Sequence, residues 1–379
     1  MRFGGVLMMT SPTPVATGAL TGRRRMLSAL ALAPVDRPPV WFMRQAGRHL
    51  PGYRKLRETC SFLDLCSRED INLLASAEPF HVYGVDAVIV FNDILIPLRD
   101  MGMQLDFLPA PKFDRLIGSP ACVAALRTPV YDQNTDVSRC LNALRREVGD
   151  NAAVLGFIGA PFTVAGFAIG GVGKDRPPLD QLVASDPALF KATQERLTPV
   201  LASYAEIQAH AGADVIQIFE SLAEKLAPEV YRRVALPHLL GVVRAIRERL
   251  PRTPLIVFGR GLWPFVSDLA SCGAALSMDH SAPLSQARAV LKSGGHRNAL
   301  QGNLDPEILL QNPEQAGAQA AKLLADWARI VPLPERAAEL GPTGWVFNLG
   351  HGVPAEASPA TVQAVVDRVR QFRDQEVLS

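Results

Sequence analysis

Ala153-Val154-Leu155-Gly156-Phe157-Ile158, followed by Gly159-Ala160-Pro161, is a short and nearly continuous apolar run that ends in small residues and a proline. A run of this length without polar alternation reads as a strand buried on both faces, as in a parallel sheet covered by helices. Similar runs recur at Val85 to Phe91, Ala213 to Phe219, Pro254 to Phe258, Ala274 to Met278, Ala299 to Gly302 and Trp345 to Leu349. Val40 to Met43 supplies a candidate eighth. Between the runs lie stretches with helical spacing, among them Pro187 to Ala211, Pro228 to Arg249 and Pro359 to Gln375, several opening on proline as the first helical position prefers. This alternation, and the number of units, predict an α/β fold of the single (β/α)₈ TIM-barrel type.

The chain has 379 residues, a length that α/β barrels reach as one unit. Hydrophobic residues make up 48% and charged residues 20%, enough to bury a large core. No linker divides the chain, so the sequence predicts a flexible tail over 1–20 and one barrel domain over 21–379. A net charge of +2 without a basic arm excludes a nucleic-acid or membrane-surface partner. The five cysteines, Cys60, Cys66, Cys122, Cys140 and Cys272, show no Cys-x-x-Cys pairing and fit reduced thiols in the cytoplasm. Arg23-Arg24-Arg25 ahead of Met26 to Ala33 is similar to a twin-arginine export signal. Its apolar stretch is short and broken by Ser28, so an amphipathic first helix stopped by Pro34 is the preferred reading.

Polar residues punctuate the strand ends. Asn92-Asp93 follows the first apolar run, Glu220-Ser221 the third, Asp279-His280 a later one and Gly350-His351 the last. In a βα barrel these positions converge on the face that carries the active site. Between Arg44 and Arg57, Arg44, Arg48, Arg54, Lys55 and Arg57 occur with no acidic residue. Four of the five are arginines, whose planar forks bind carboxylates bidentately, and Gly47 and Pro51 argue against a plain solvated helix face. Asp93 is a carboxylate inside an apolar segment. Two roles stand open for it, an ion pair with a nearby arginine or catalysis, and facing an arginine cluster it is expected to stay ionised. The glycines around His351 allow close backbone approach. Phe91, Ile94, Phe157, Phe162 and Phe167 are candidate walls of an apolar cleft, with core packing as the alternative for each.

Two motifs are set aside. Gly170-Gly171-Val172-Gly173-Lys174-Asp175 looks like a phosphate loop, but Ala168 and Asp175 stand where glycine and Ser/Thr are required. The seven histidines show no metal-ligand spacing, and Ser221 lacks the Gly-x-Ser-x-Gly elbow of a hydrolase.

Met43-Arg44-Gln45-Ala46-Gly47-Arg48, Phe91-Asn92-Asp93-Ile94-Leu95, Gly159-Ala160-Pro161-Phe162-Thr163, Gln301-Gly302-Asn303-Leu304-Asp305-Pro306 and Asn348-Leu349-Gly350-His351-Gly352, in that order, resemble the uroporphyrinogen decarboxylase family. The resemblance covers Arg25 to the C-terminus. It implies a homodimeric barrel enzyme of haem biosynthesis that uses neither metal nor cofactor and converts the four acetates of uroporphyrinogen to methyl groups. By the same resemblance Arg44, Gln45, Ala46, Gly47 and Arg48 line the cleft, both arginines and Arg57 take substrate carboxylates, and Asp93 accepts the pyrrole N–H groups and stabilises the transition state. Arg44 is a candidate proton donor, and Ser221 and His351 contact side-chain carboxylates.

Some positions depart from the family pattern. Phe167 replaces a binding tyrosine, Gly170 and Gly52 replace glutamates, His280 replaces a tryptophan, and Leu222 and Glu224 follow Ser221 where an aromatic or polar residue and then glycine are usual. These departures define the alternative, a diverged tetrapyrrole-binding paralogue with altered or no activity. A third reading, a corrinoid-protein methyltransferase, would need zinc on a pair such as His280 and Cys272, whose spacing is unconvincing.

Overall fold

The computed structural model describes residues 20–107, 110–173, 176–330 and 344–372. Nearly all of the predicted tail, and the last residues of the predicted terminal helix, lie outside them. Each of the seven apolar runs forms a strand. These are β1 (Ala87–Ile89), β4 (Ala153–Gly159), β5 (Val215–Glu220), β6 (Leu255–Gly259), β7 (Ala275–Ser277), β8 (Leu300–Leu304) and β9 (Trp345–Leu349). They make one parallel sheet in the order β1-β4-β5-β6-β7-β8-β9. A separate antiparallel pair, β2 (Leu105–Phe107) with β3 (Pro111–Phe113), was not foreseen, because three-residue strands carry too little pattern to read.

The helices follow their start signals. Asp186 caps the helix Pro187–His210 by accepting from the Leu189 N–H. The predicted helix from Pro228 to Arg249 is instead two, Pro228–Val234 and Leu236–Arg249. Pro237 has no N–H to continue the first ladder and disfavours helical geometry just before it, so the helix restarts there.

The sheet is strongly curled. On its inner face the Gln301 side chain of β8 donates to Gln217 Oε1 of β5 at 3.0 Å and to Ser277 Oγ of β7 at 2.8 Å. Strands β5 and β8 are separated by two others, so the bond forms only if the sheet bends back on itself. Trp41 Nε1 donates to Gln301 Oε1 at 3.0 Å, which brings the segment before β1 into the same core. A buried polar network of this kind specifies one arrangement because breaking any member leaves a partner unsatisfied.

Residues 39–41 lie between the two edge strands. Phe347 of β9 donates to the Pro39 carbonyl, and the Asp86 N–H just before β1 donates to the Val40 carbonyl at 2.8 Å. The region registers as a single parallel bridge, Val40 to Phe347, and not as a regular strand. The Asp86 carboxylate, 3% exposed, accepts from Arg25, from Arg37 and from the Val40 N–H at 2.6–3.0 Å. Arg25 belongs to the first helix, Gly22–Leu30. Arg23 of the same triplet pairs with Asp214 and Asp150, so two of the three arginines are built into the fold's ion pairs.

Replacing Asp86 with alanine leaves two largely buried guanidiniums short of a charge and the Val40 N–H without its acceptor. The variant is expected to lose about 3–5 kcal/mol in urea unfolding, with Asp86→Asn losing less because one acceptor oxygen remains.

Candidate active site

The inner-facing side chains near the C-terminal strand ends form an aromatic row. Phe157 of β4 meets Phe219 of β5 edge-on with centroids 5.5 Å apart, Phe219 meets Phe258 of β6 at 5.8 Å, and Phe258 lies 6.3 Å from the His351 ring. Strand register places these residues on one pleat face. Phe91, just beyond β1, packs against Tyr53 and Phe62. The result is an apolar floor. Around it stand polar residues that follow five of the seven strands, Asp93, Ser221, Arg260, His280 and His351, together with Arg44 from the loop after residues 39–41.

The Arg44 loop is held from several sides. The Met43 N–H donates to Asn348 Oδ1, and Val353 donates to the Met43 carbonyl at 2.9 Å. Gln45 is fully buried; it accepts from the Phe42 N–H and donates to the Ala87 carbonyl. Its side chain therefore holds the loop, leaving only main chain to face the cleft. Arg44 has φ 58°, a left-handed conformation that a non-glycine residue adopts only where its surroundings impose it. A Cβ on Gly352 would lie 2.4 Å from Arg44 Cδ, and one on Gly350 would lie 2.3 Å from the His280 backbone nitrogen. The glycines flanking His351 serve close approach, as expected. Among the described residues, no carboxylate comes within ion-pair distance of Arg44 or Arg48.

Asp93 accepts from the Leu95 N–H at 2.9 Å, and no cation among the described residues lies within 4 Å of it. Burial pushes its carboxyl up to about 6, against the lowering effects of that hydrogen bond and of the Arg44 charge. Desolvation outweighs charges that stand off at a distance, and a carboxyl at about 6 is still largely ionised near pH 7. Burial first, and then the positive charges of Arg44, Arg260 and His280, take the His351 imidazole down to about 4. It is neutral near pH 7. Arg44 is accessible at the mouth, yet the surrounding protein desolvates it and lowers its guanidinium, with Asp93 opposing and Arg48 assisting.

Ser221, half-buried at the end of β5, has no hydrogen-bond partner among the described residues. Arg48 is exposed and Ala46 and Gly47 half-buried, all on the Arg44 loop. Arg57 donates to the Cys60 carbonyl and lies 6.0 Å from the Phe62 ring, beside the Phe91 end of the floor. Phe167 is half-buried on the helix Pro161–Ile169. Ile94 is also half-buried. Phe162, proposed as a wall, is core instead, 0% exposed and edge-on to Tyr231.

Two of the departures have local explanations. Gly170 caps that helix at φ 95°, and it ends a helix where a phosphate loop would start one; Lys174 and Asp175 lie outside the described residues. At Gly52 a Cβ would lie 2.4 Å from Glu78 Oε1, whose carboxylate accepts the Gly52 and Tyr53 N–H groups at the start of the helix Pro51–Thr59. Cys272 and His280 sit at opposite ends of β7, so they cannot ligate one ion. No group of three or more His, Cys, Asp or Glu side chains stands ready to hold a metal among the described residues.

Sequence reasoning missed Phe219 and Phe258 as floor residues, although inward alternation along β5 and β6 carried that signal. It also missed Arg260 and the depth of Glu220. Glu220 is 0% exposed, accepts from Thr163 Oγ1, and has the Tyr231 hydroxyl beside its other oxygen outside good hydrogen-bond geometry.

A concavity of about 600 Å³ lies beyond the end of β8, between the 3₁₀ turn Pro306–Leu310 and the helix Pro313–Ile330. Gln311, Gln315, Gln319 and Lys322 line it alongside Leu304, Ile308 and Leu323, and among its lining residues it offers no aromatic ring on which a flat ligand could stack. The strand-end face does. Fold and site together define a parallel α/β protein that presents an apolar floor, a poorly solvated carboxylate without a cationic partner, and arginines without carboxylate partners among the described residues at its strand ends, a class of site suited to a large anionic ring.

The family model described as uroporphyrinogen decarboxylase (URO-D) matches residues 21–372. A uroporphyrinogen decarboxylase of Pelobacter propionicus is 38% identical over 90% of this chain and 97% of its own length. One from Geotalea uraniireducens is 36% identical, with 92% and 98% covered. The chain belongs to the uroporphyrinogen decarboxylase family. Among solved structures, a methyltransferase from Methanosarcina mazei superposes with TM-score 0.72 at 19% identity, covering 93% of this chain and 99% of that one. A B12-independent methionine synthase from Shewanella superposes with TM-score 0.51 at 13% identity, with 80% and 87% covered. These two likenesses concern the fold alone.

Two predictions concern titration. If ionised Asp93 is the working form, kcat/KM falls on the acid side with an apparent pKa near 6, and the residual activity of Asp93→Asn lacks that limb. Burial raises Glu220 from 4.5 to about 7. A carboxyl raised on folding favours the native state at low pH, and that contribution is lost as pH rises from about 4.5 through about 7. Glu220→Gln is therefore expected to gain on the order of 2 kcal/mol over wild type at pH 8 and little at pH 4, read by thermal unfolding.

Proposed function

We propose that this chain decarboxylates the four acetate side chains of uroporphyrinogen III to give coproporphyrinogen III and carbon dioxide in tetrapyrrole biosynthesis, at the strand-end face described above. One observation carries the placement of the site. Asp93, a poorly solvated carboxylate with no cation within 4 Å among the described residues, stands at an aromatic floor, while Arg44 and Arg48 nearby have no carboxylate partner among those residues. The substrate has the complementary pattern, with N–H donors at the centre of an apolar ring and carboxylates around its edge.

The chemistry follows from that pattern. Protonation of a pyrrole ring carbon next to an acetate makes the ring cationic. The acetate C–C bond then breaks, carbon dioxide leaves, and the bonding pair forms an exocyclic double bond that neutralises the ring. Protonation of the exocyclic carbon and loss of the added ring proton give a methyl group, so each turn consumes one proton. Asp93, fixed in a poorly solvated position, accepts the pyrrole N–H groups and stabilises the cation, the kind of preorganised electrostatics that lowers such barriers most. Arg44 is placed to deliver the proton, and its lowered guanidinium pKa is a shift in the direction a donor requires. Arg44, Arg48 and Arg57 hold peripheral carboxylates, with Ser221 and neutral His351 adding hydrogen bonds. The main chain of Gln45-Ala46-Gly47 flanks the ring, and Phe167 offers an apolar edge.

The fuller architecture belongs to the same reading. Residues 39–41 act as the eighth staves of a closed (β/α)₈ barrel within one domain over 21–379, working as a cytoplasmic homodimer without metal or cofactor. Among the described residues no helix is long and apolar enough to cross a membrane.

Anaerobic incubation with uroporphyrinogen III, oxidation and separation by carboxylate number should yield seven-, six-, five- and then four-carboxylate products. Asp93→Asn should slow every step by roughly a hundredfold or more, since it removes a fixed charge that stabilises the transition state. Unchanged substrate from a well-folded preparation would refute the activity, and full turnover by the variant would refute the site.

A further inference from the structure

Arg260, which stands at the rim of the floor after β6, across the sheet from the Arg44 loop, has no role assigned to it so far. It follows β6 directly and is held in a rigid turn. Gly261, at φ 77°, brings the backbone so close to Glu224 that a Cβ there would lie 2.9 Å from Glu224 Cα. The Gly261 N–H donates to Asp279 Oδ2 at 2.8 Å and the Trp263 indole to Asp279 Oδ1 at 2.9 Å, so the end of β7 fixes the turn. Arg260 is near enough to His351 for its charge to help lower that imidazole. The same charge is spoken for: Arg260 Nη2 is 3.1 Å from Glu224 Oε2.

Glu224 is one of the positions where the chain departs from its family's pattern; its Oε1 also lies 3.9 Å from Lys225 Nζ, the longer and looser of its two pairings, and at the mouth of an anion-binding cleft its carboxylate without Arg260 would repel the substrate. The Arg260 side chain is 46% exposed and that of Glu224 27%. An exposed pair of this kind is worth only about 0–1 kcal/mol. A substrate carboxylate bound bidentately over the aromatic floor competes with it readily, since hydrogen bonds to charged groups contribute about 1.5–3 kcal/mol.

Resting on the reading that the strand-end face takes the tetrapyrrole, we propose that Arg260 is a further substrate-binding residue that takes a peripheral carboxylate across the ring from Arg44 and Arg48. Glu224 is its exchangeable partner in the empty site. The ring is then gripped from two opposite edges, and Glu224 reclaims Arg260 when product leaves.

The test is a double-mutant cycle on the full chain, with kcat and KM measured for uroporphyrinogen III. Arg260→Gln should raise KM about tenfold, the equivalent of about 1.4 kcal/mol, with kcat changed far less. Glu224→Gln should lower KM by freeing Arg260. The double variant decides: a KM that stays raised supports direct binding by Arg260, whereas a return to the wild-type KM shows that Arg260 only neutralises Glu224 and overturns the proposal. An unchanged KM in Arg260→Gln also overturns it. Should Arg260→Gln fail to fold, Glu224→Gln alone decides, because a KM that is unchanged or higher contradicts competition for Arg260. The outcome is separable from that of the site itself, since loss of turnover in Asp93→Asn with a silent Arg260→Gln would leave the site standing and remove only this inference.

Discussion

The Asp86 carboxylate is the constraint on which the rest of this structure depends. It gathers Arg25 from the first helix, Arg37 from the loop after it and the Val40 N–H from the segment between the edge strands. Asp36 adds a second tie between that helix and the loop by accepting twice from Arg25. Once Val40 is fixed, Trp41 enters the core and meets Gln301, which in turn reaches Gln217 on the opposite side of the sheet. Two residues further on, Met43 is tied to Asn348, and the chain turns out of the core at Arg44. A buried cluster of charges at the N-terminal end of the strands thus sets the position of an arginine at the other end.

The site built on that scaffold works through distance more than through contact. Arg44 and Asp93 affect each other's charge without forming an ion pair. Had they paired, each would have satisfied the other and the cleft would have little to offer a substrate. Kept apart, the carboxylate remains costly to ionise and the arginines keep their donors free. His351 stays neutral among positive neighbours, able to accept or donate a hydrogen bond without adding another charge. A ligand with central donors and peripheral anions would relieve that electrostatic cost.

The departures from the family pattern are mostly accommodated by geometry. Gly170 ends a helix in a left-handed conformation, Gly52 leaves room for the Glu78 carboxylate, and Glu224 comes with an arginine to neutralise it. Nothing in the structure explains why Phe167 replaces a tyrosine. Such compensations cannot be seen along the chain, because Gly52 and Glu78, or Glu224 and Arg260, are joined only through space.

The amino-acid sequence by itself determined the seven apolar strands, the helix starts at prolines and the order of polar residues at the strand ends. These depend on local composition and on periodicities that need no partner. It also marked Arg44, Asp93 and His351, each conspicuous against its own neighbours. Tertiary structure alone decided that residues 39–41 lie between β1 and β9, that Pro237 divides one helical stretch into two, and that Gln45 and Phe162 serve packing. It decided too that burial raises the Asp93 carboxyl to about 6. The reason is common to all of these: burial, desolvation and pairing are properties of what surrounds a residue in space, and the neighbours responsible are dozens to hundreds of positions away in the chain.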